Sequence, residues 1–71
     1  MYDAITLGKK VNYFRKQKNI SQKDLANMIH ASQSNISNLE HGKNKFNIEK
    51  LSEIAAALDV TLDDLLEDSL S

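Results

Sequence analysis

The sequence of 71 residues predicts one all-α domain, a compact bundle of five short helices. Three observations lead to this fold class. The chain has no proline and two glycines, so few positions would interrupt a helix. Apolar residues recur at steps of three and four positions in five segments, as on one face of a helix. A serine, threonine or asparagine stands directly before four of these segments, where a helix N-cap is expected.

Caps and apolar stripes together predict the helix boundaries. The first helix is expected at about 4–18, and either Asp3 or Thr6 could cap it. The later helices are expected at 22–29 after Ser21, from 33 to about 40 after Ser32, at 48–58 after Asn47, and from 62 to about 67 after Thr61. Asp24 and Asp64 stand at the third helical position of their helices, which predicts a capping box at each.

The same stripes predict the core of a single domain. A chain of this length holds one domain, here 1–71, with an ordered part at about 4–67 and a frayed tail at 68–71. The residues expected to fill the core are Leu7, Val11, Phe14, Leu25, Ala26, Ile29, Ile36, Leu39, Ile48, Leu51, Ile54, Ala55, Leu58, Leu62 and Leu65.

Composition argues against several classes of protein. There is no cysteine, and the longest apolar run is Ile54 to Leu58, far below the roughly 18 residues of a membrane span, which favours a cytoplasmic protein. His30 and His41 belong to no cluster with metal-ligand spacing, and no serine lies in a glycine-rich elbow. We therefore expect no enzyme activity, no metal, no cofactor and no small-molecule ligand.

Charge is divided unevenly along the chain. Residues 1–50 carry nine basic and four acidic side chains, a net charge of +5, whereas residues 51–71 carry six acidic and no basic side chains. Such a division would orient the domain in the field of a polyanion, although it could also serve solubility alone.

The third predicted helix has an unusual exposed face. Ile36 and Leu39 define its buried side, and the other side carries amide and hydroxyl groups, among them Ser34 and Asn38. Serine and asparagine are poor helix formers, but they can hydrogen bond to base edges. Polar filler on a short surface helix is the alternative. Gln22, in the first turn of the preceding helix, and the loop at 43–45 could contact phosphates on either side of this helix.

These residues resemble the lambda-repressor-like, or Cro-type, helix-turn-helix regulators, also called the Xre family. The resemblance covers about 7–66. It is carried by Phe14-Arg15-Lys16, by Ile20 through Ala26, by Ser32 through Glu40 with Gly42-Lys43, and by the apolar residues of the last two helices. It implies that helices two and three form a helix-turn-helix, and that the third helix reads the major groove of double-stranded DNA.

The resemblance also implies roles for individual residues. The base-reading positions would be Gln33, Ser34, Ser37 and Asn38, and the phosphate-contacting positions would be Gln22, Lys23, Ser32, Asn35, His41, Lys43, Asn44 and Lys45. Gln22 would also brace Gln33, and Arg15 would form a partly buried structural salt bridge with Glu40. Where similar sequences have a glycine of positive φ between helices two and three, this chain has His30.

The implied function is sequence-specific DNA binding by a bacterial or phage transcription regulator, a repressor or autoregulator. A homodimer on a two-fold operator is expected, since one short recognition helix makes a small interface. The alternative is a protein-interaction module of the same fold that has lost DNA binding. Such a module would act through its acidic C-terminal face with Leu62, Leu65, Leu66 and Leu70.

Overall fold

The computed structural model describes residues 3–44 and 46–66, and this part of the chain contains five helices. They are α1 (Ala4–Gln17), α2 (Gln22–Met28), α3 (Gln33–Glu40), α4 (Ile48–Leu58) and α5 (Leu62–Leu66). The predicted all-α, five-helix fold is confirmed. Helix α3 packs on both α1 and α2, while α4 and α5 pack on each other and on α1, within a body of 31 × 23 × 20 Å. The expected tail at 68–71 lies outside the described residues.

Side-chain caps begin all five helices. Ser21, Ser32 and Asn47 each accept a hydrogen bond from the N–H of the third residue of their helix, at 2.8–3.1 Å. Thr61 and Asp64 form both bonds of a capping box. The box predicted at Ser21 is half formed, since among the described hydrogen bonds the Asp24 carboxylate does not return one. For α1 the cap is Asp3, whose carboxylate accepts from Ile5 N and from the Thr6 hydroxyl.

The first four helices end in the same backbone motif. After each helix one residue takes a left-handed conformation, with φ between 58° and 72°: Asn19, His30, Asp59 and Gly42. In each case the next residue donates its N–H five positions back, as Ala31 does to Ala26 O at 2.8 Å. These bonds satisfy carbonyl groups that the helix leaves free. The positive φ expected at His30 is therefore present, and similar strain occurs at Asn19 and Asp59.

Replacement of His30 by glycine is expected to stabilise the fold by a few tenths to about 1 kcal/mol, because glycine adopts positive φ without steric cost. The His30 side chain is exposed, so little packing is lost. Thermal unfolding followed by circular dichroism measures the change. His30→Ala is the matched control, since it removes the imidazole but keeps the strained Cβ, and an unchanged or lower melting temperature of His30→Gly contradicts the prediction.

The core consists of twelve buried apolar residues drawn from all five helices and from Ile29, which follows α2. All twelve belong to the predicted set. The prediction was wrong for Ile48, which is 54% exposed. Ile48 is the first residue of α4, and its side chain leans back toward the helix N-terminus, beyond the face that the rest of the helix buries. Phe14 and Leu62 are partly buried and pack against the core.

Helix α1 lies very close to the end of α3 at Gly8. A Cβ atom at this position would lie 2.3 Å from Leu39 O and 2.7 Å from Glu40 O. These atoms belong to the backbone of the last turn of α3 and cannot rotate away. The absence of a side chain at Gly8 therefore determines how near α3 lies to α1.

Candidate nucleic-acid interface

Helix α3 presents a fully apolar face to the core and a polar face to solvent. Ile36 and Leu39 have no exposed surface, and they anchor the helix against α1 and α2. Gln33, Ser34 and Asn38 lie on the exposed side. Ser37 is half-buried at the edge of this face. The three exposed side chains therefore form one uncharged surface of hydrogen-bond donors and acceptors.

The first turns of α2 and α3 offer backbone donors near this surface. Each cap uses the N–H of the third helical residue, so the first two N–H groups have no partner within the helix. In α2 these belong to Gln22 and Lys23, and in α3 to Gln33 and Ser34. Free N–H groups at a helix N-terminus favour anionic oxygen atoms, which suits a phosphate backbone.

A network of hydrogen bonds lies behind α3 and is centred on Glu40. Arg15 Nε donates to Glu40 Oε2 at 2.7 Å, and Arg15 Nη2 donates to Oε1 at 3.1 Å. Oε1 also accepts from Asn12 Nδ2 at 2.9 Å and from Gln22 Nε2 at 3.0 Å. The side chains of Arg15 and Glu40 are 10% and 3% exposed, so the ion pair is buried. It ties α1 to the end of α3.

This environment changes the titration of Glu40. Burial alone would raise its pKa, but hydrogen bonds from Arg15, Asn12 and Gln22 and the positive charge of Arg15 outweigh burial. The net result is a pKa below the ordinary value of a glutamate. Glu40 therefore remains ionised near neutral pH and acts as a hydrogen-bond acceptor.

Gln22 connects this network to the exposed face. Its Nε2 donates to Glu40, and its Oε1 accepts from Gln33 Nε2 over 3.5 Å. The structure thus brings together the two glutamines expected to meet, and places a buried carboxylate behind them.

The other expected phosphate contacts surround α3. Lys23, Ser32, Asn35 and Lys43 are exposed. His41 is also exposed; its Nδ1–H donates to Ser37 O at 2.8 Å, which leaves Nε2 free for a second partner. Asn44 is half-buried, and its Oδ1 is inaccessible to solvent and has no hydrogen-bond partner among the described residues. Lys45 lies outside the described residues.

Three residues that support this surface were not expected from the sequence. Gly8 and Asn12 contact the end of α3, as described above. Lys50 on α4 donates from Nζ to Ile29 O at 2.7 Å, which satisfies a carbonyl group at the end of α2, and lies 3.4 Å from Glu53. No local pattern marks Asn12 or Lys50, because their partners lie 28 and 21 positions away in the chain. For Gly8 the sequence did contain a signal, because a glycine inside a predicted helix, between the core residues Leu7 and Val11, often marks a close helix contact.

Within residues 3–44 and 46–66, no helix is long and apolar enough to cross a membrane, and no three His, Asp or Glu side chains are grouped so that they could hold a metal ion.

A helix-turn-helix family model matches residues 11–65. The chain belongs to the Xre-type helix-turn-helix family. This is a family of DNA-binding transcription regulators, which agrees with the resemblance seen in the sequence. The match extends from the middle of α1 to the end of α5 and includes the whole helix-turn-helix.

Solved structures of several helix-turn-helix regulators are similar to this chain. The clp gene regulator ClgR from Corynebacterium glutamicum is 27% identical with a TM-score of 0.85, and the similarity covers 87% of this chain and 66% of that one. This chain therefore spans just under two thirds of ClgR. The restriction-modification controller C.AhdI from Aeromonas hydrophila is 25% identical with a TM-score of 0.85, over 90% of this chain and 93% of that one.

The biofilm regulator SinR, solved in complex with DNA, is 29% identical with a TM-score of 0.81, over 86% of this chain and 98% of that one. Less similar structures, at 17% identity, include an epoxidase and show the fold alone. A search among proteins of curated function gave no significant match.

Proposed function

We propose that this Xre-type protein is a sequence-specific transcription regulator, a repressor or autoregulator, that inserts α3 into the major groove of double-stranded DNA. One observation carries the proposal. Helix α3 is anchored by two residues with no exposed surface, and its opposite face consists of Gln33, Ser34 and Asn38 without a charged side chain. Amide and hydroxyl groups can distinguish base edges, and an amide pairs with adenine through two hydrogen bonds.

The charges and free donors around α3 support the same proposal. Lys23 lies in the first turn of α2 and Lys43 follows α3, so one positive charge lies at the start of the helix-turn-helix and one lies beyond its end. The free backbone N–H groups in the first turns of α2 and α3 add hydrogen-bond donors that need no side chain. In this arrangement phosphate contacts set the position of α3, and its polar side chains select the sequence.

We further propose that the protein binds as a homodimer to a two-fold operator. Helix α3 has eight residues, so one copy can reach only a few base pairs. A single small module also buries too little surface for high specificity. Leu62 and Leu66 on α5 are half-buried, which leaves apolar surface on the acidic side of the domain for a second copy.

The proposal is tested by selecting binding sites from a randomised duplex library and titrating the best site at several salt concentrations. We expect a two-fold motif whose half-sites are about one helical turn apart. Affinity should fall steeply with salt, since each phosphate contact releases counterions. Analytical ultracentrifugation of the protein and its complex gives the number of copies bound. A strictly monomeric protein bound once per duplex contradicts the dimer.

Substitutions on α3 and beside it should have different effects on binding. Gln33→Ala and Asn38→Ala are expected to cost about 1–3 kcal/mol on the selected site and to relax the preference at individual base pairs. Lys43→Ala should weaken binding to all sequences alike and lower the salt dependence by about one phosphate contact. Fluorescence anisotropy with the selected duplex and single-base variants of it measures both quantities.

Lys10→Ala is the matched control for the loss of a positive charge. Hydrogen bonds from Thr61 are the main cause of the lowered pKa of Asp64 on α5, and the positive charge of Lys10 adds to them. Lys10 therefore lies near the acidic side of the domain. Its removal should leave DNA affinity within about twofold, because Lys10 lies on α1 near Asp64 and not beside α3, and at that position salt would screen it from bound phosphates. Equal losses of affinity for Lys10→Ala and Lys43→Ala would contradict the proposed position of the DNA.

If the selection yields no motif and binding remains weak and salt-sensitive, the DNA-reading function fails. The alternative is then a protein-interaction module that acts through Asp59, Asp63, Asp64 and the half-buried Leu62 and Leu66 of α5. Leu65, also expected on this face, is buried in the core. A search for a protein partner with this acidic face as bait would be the next experiment.

A further inference from the structure

Three side chains form a continuous hydrogen-bonded series from the buried ion pair to the surface of α3. Glu40 Oε1 accepts from Gln22 Nε2 at 3.0 Å, and Gln22 Oε1 accepts from Gln33 Nε2 at 3.5 Å. The Glu40 side chain is 3% exposed, Gln22 is half-buried, and Gln33 is exposed. Glu40 is therefore shielded from any DNA bound at α3. Two hydrogen bonds nevertheless connect it to Gln33, whose exposed side chain can reach such DNA.

The carboxylate determines which way the Gln22 amide points. An ionised carboxylate accepts hydrogen bonds and donates none. The Gln22 NH₂ group must therefore face Glu40, since the reverse orientation would place two acceptor oxygen atoms against each other. The Gln22 oxygen is then turned toward Gln33.

The orientation of Gln22 in turn determines what Gln33 offers to DNA. Gln33 uses one N–H on the Gln22 oxygen, and it keeps its own oxygen and a second N–H for another partner. An oxygen beside an N–H is the pair of groups that matches the N6 amino group and N7 of adenine. If Gln22 were reversed, the Gln33 oxygen would turn toward it and the NH₂ group would face outward. Two donors match the O6 and N7 acceptors of guanine instead.

We propose that Glu40 is a positioning residue for base recognition. It acts through Gln22 to orient Gln33, so the preference for adenine over guanine at one base pair depends on a residue that touches no DNA. This inference rests on the proposed function, because it concerns the site that α3 reads.

Glu40→Gln tests the proposal with almost no change in shape. Arg15 Nε makes the shortest contact with Glu40, at 2.7 Å, so the single oxygen of the new amide should remain on Arg15. The new NH₂ group then takes the place of Oε1 and can no longer accept from Arg15 Nη2, Asn12 or Gln22. Each of its two N–H groups needs an acceptor, so we expect the Gln22 and Asn12 amides both to reverse and to accept from it. A bidentate pair discriminates against a wrong base by roughly 5- to 150-fold, and we expect the adenine preference in Glu40→Gln to fall below about threefold or to change to guanine.

The measurement compares the affinities of the variant for two duplexes that carry A·T or G·C at the base pair whose preference is lost in Gln33→Ala. Asn12→Ala is the matched control. It removes another hydrogen bond to Glu40 Oε1 but leaves the orientation of Gln22 unchanged. Asn12→Ala should lower the melting temperature and retain the adenine preference.

A second variant covers the case in which Glu40→Gln does not fold. Gln22→Met retains the length of the side chain and removes both hydrogen bonds of the series. Loss of a phosphate contact at Gln22 weakens binding to both duplexes equally, so the affinity ratio reports the orientation of Gln33 alone. We expect this ratio to fall below about threefold as well.

The outcomes separate this proposal from the proposed function. Without a selected motif for the unaltered protein, both fail. If the motif appears but folded Glu40→Gln or Gln22→Met keeps the adenine preference within twofold, only the present proposal is overturned. An equal loss of adenine preference in Asn12→Ala also overturns the proposal, because the loss would then reflect a general loss of structure. The proposal is also overturned if, at the base pair whose preference is lost in Gln33→Ala, the unaltered protein favours a base other than adenine.

Discussion

Replacement of Arg15 by methionine is expected to lower the free energy of unfolding by about 3–5 kcal/mol, because the Glu40 carboxylate would stay buried without its cation. In a domain of this size the loss corresponds to roughly 20–35 °C in melting temperature. Asn12 and Gln22 would still donate to Glu40, but neither carries the charge that offsets its burial. Urea unfolding followed by circular dichroism measures the change.

The double variant Arg15→Met with Glu40→Met is the control for this prediction. It removes both charges and fills the site with apolar groups of similar length, which is often neutral for stability. We expect it to recover most of the stability lost in Arg15→Met. Equal destabilisation in the single and double variants would show that packing at Arg15, and not its charge, stabilises the fold.

The same ion pair predicts how stability depends on pH. The pKa of Glu40 is lower in the folded protein than its ordinary value of 4.5, so its contribution is present above pH 4.5 and is lost as the pH falls through the folded pKa. The double variant should therefore lose less stability than the unaltered protein below pH 4.5. Asp3 and Asp64, whose pKa values are lowered by hydrogen bonds from the Thr6 hydroxyl and the Thr61 N–H, contribute equally in both.

Replacement of Gly8 by alanine is expected to destabilise the fold by about 2 kcal/mol or more. Alanine favours a helix over glycine by about 1 kcal/mol, but the new Cβ would lie within 2.3 Å of Leu39 O. To relieve this contact α1 and α3 must separate, and overpacking in a tight interior costs about 1–3 kcal/mol and sometimes more. The loss of contacts around Leu39, which has no exposed surface, adds to the cost.

Thermal unfolding of Gly8→Ala beside Lys9→Ala tests this explanation. Lys9 is the exposed neighbour on α1, so alanine there changes helix propensity without a steric conflict. We expect Lys9→Ala to stay within about 0.5 kcal/mol of the unaltered protein, as is usual for surface positions. A stabilised Gly8→Ala would mean that the two helices separate at little cost, and that Gly8 does not determine the position of α3.

The helices themselves could be predicted because the signals that form them are local. A cap such as Ser32 bonds to an N–H three residues later, and an apolar stripe repeats within one turn. For this reason the bounds of α3 and α4 agree with the prediction residue for residue, and twelve of the expected core residues are buried. The exposed polar face of α3 follows from the same periodicity, once Ile36 and Leu39 are placed in the core.

Contacts between distant parts of the chain could not be predicted from such signals. The close approach at Gly8, the Asn12 bond to Glu40 and the Lys50 bond to Ile29 O all depend on how helices cross. The pairing of Arg15 with Glu40 was expected from family resemblance and not from spacing. Ile48 has the apolar character of a core residue, but its place at the helix start leaves it exposed.

The sequence by itself determined that this protein has five capped helices, one apolar core and an uncharged polar face on α3. Each of these features depends on side chains within one or two turns of each other, where spacing along the chain equals spacing in the structure. Only the tertiary structure decided that Glu40 and Gln22 lie in series behind Gln33, since packing of α1, α2 and α3 brings these groups together. The sequence therefore determines that an amide stands at Gln33, and the fold determines how that amide is oriented.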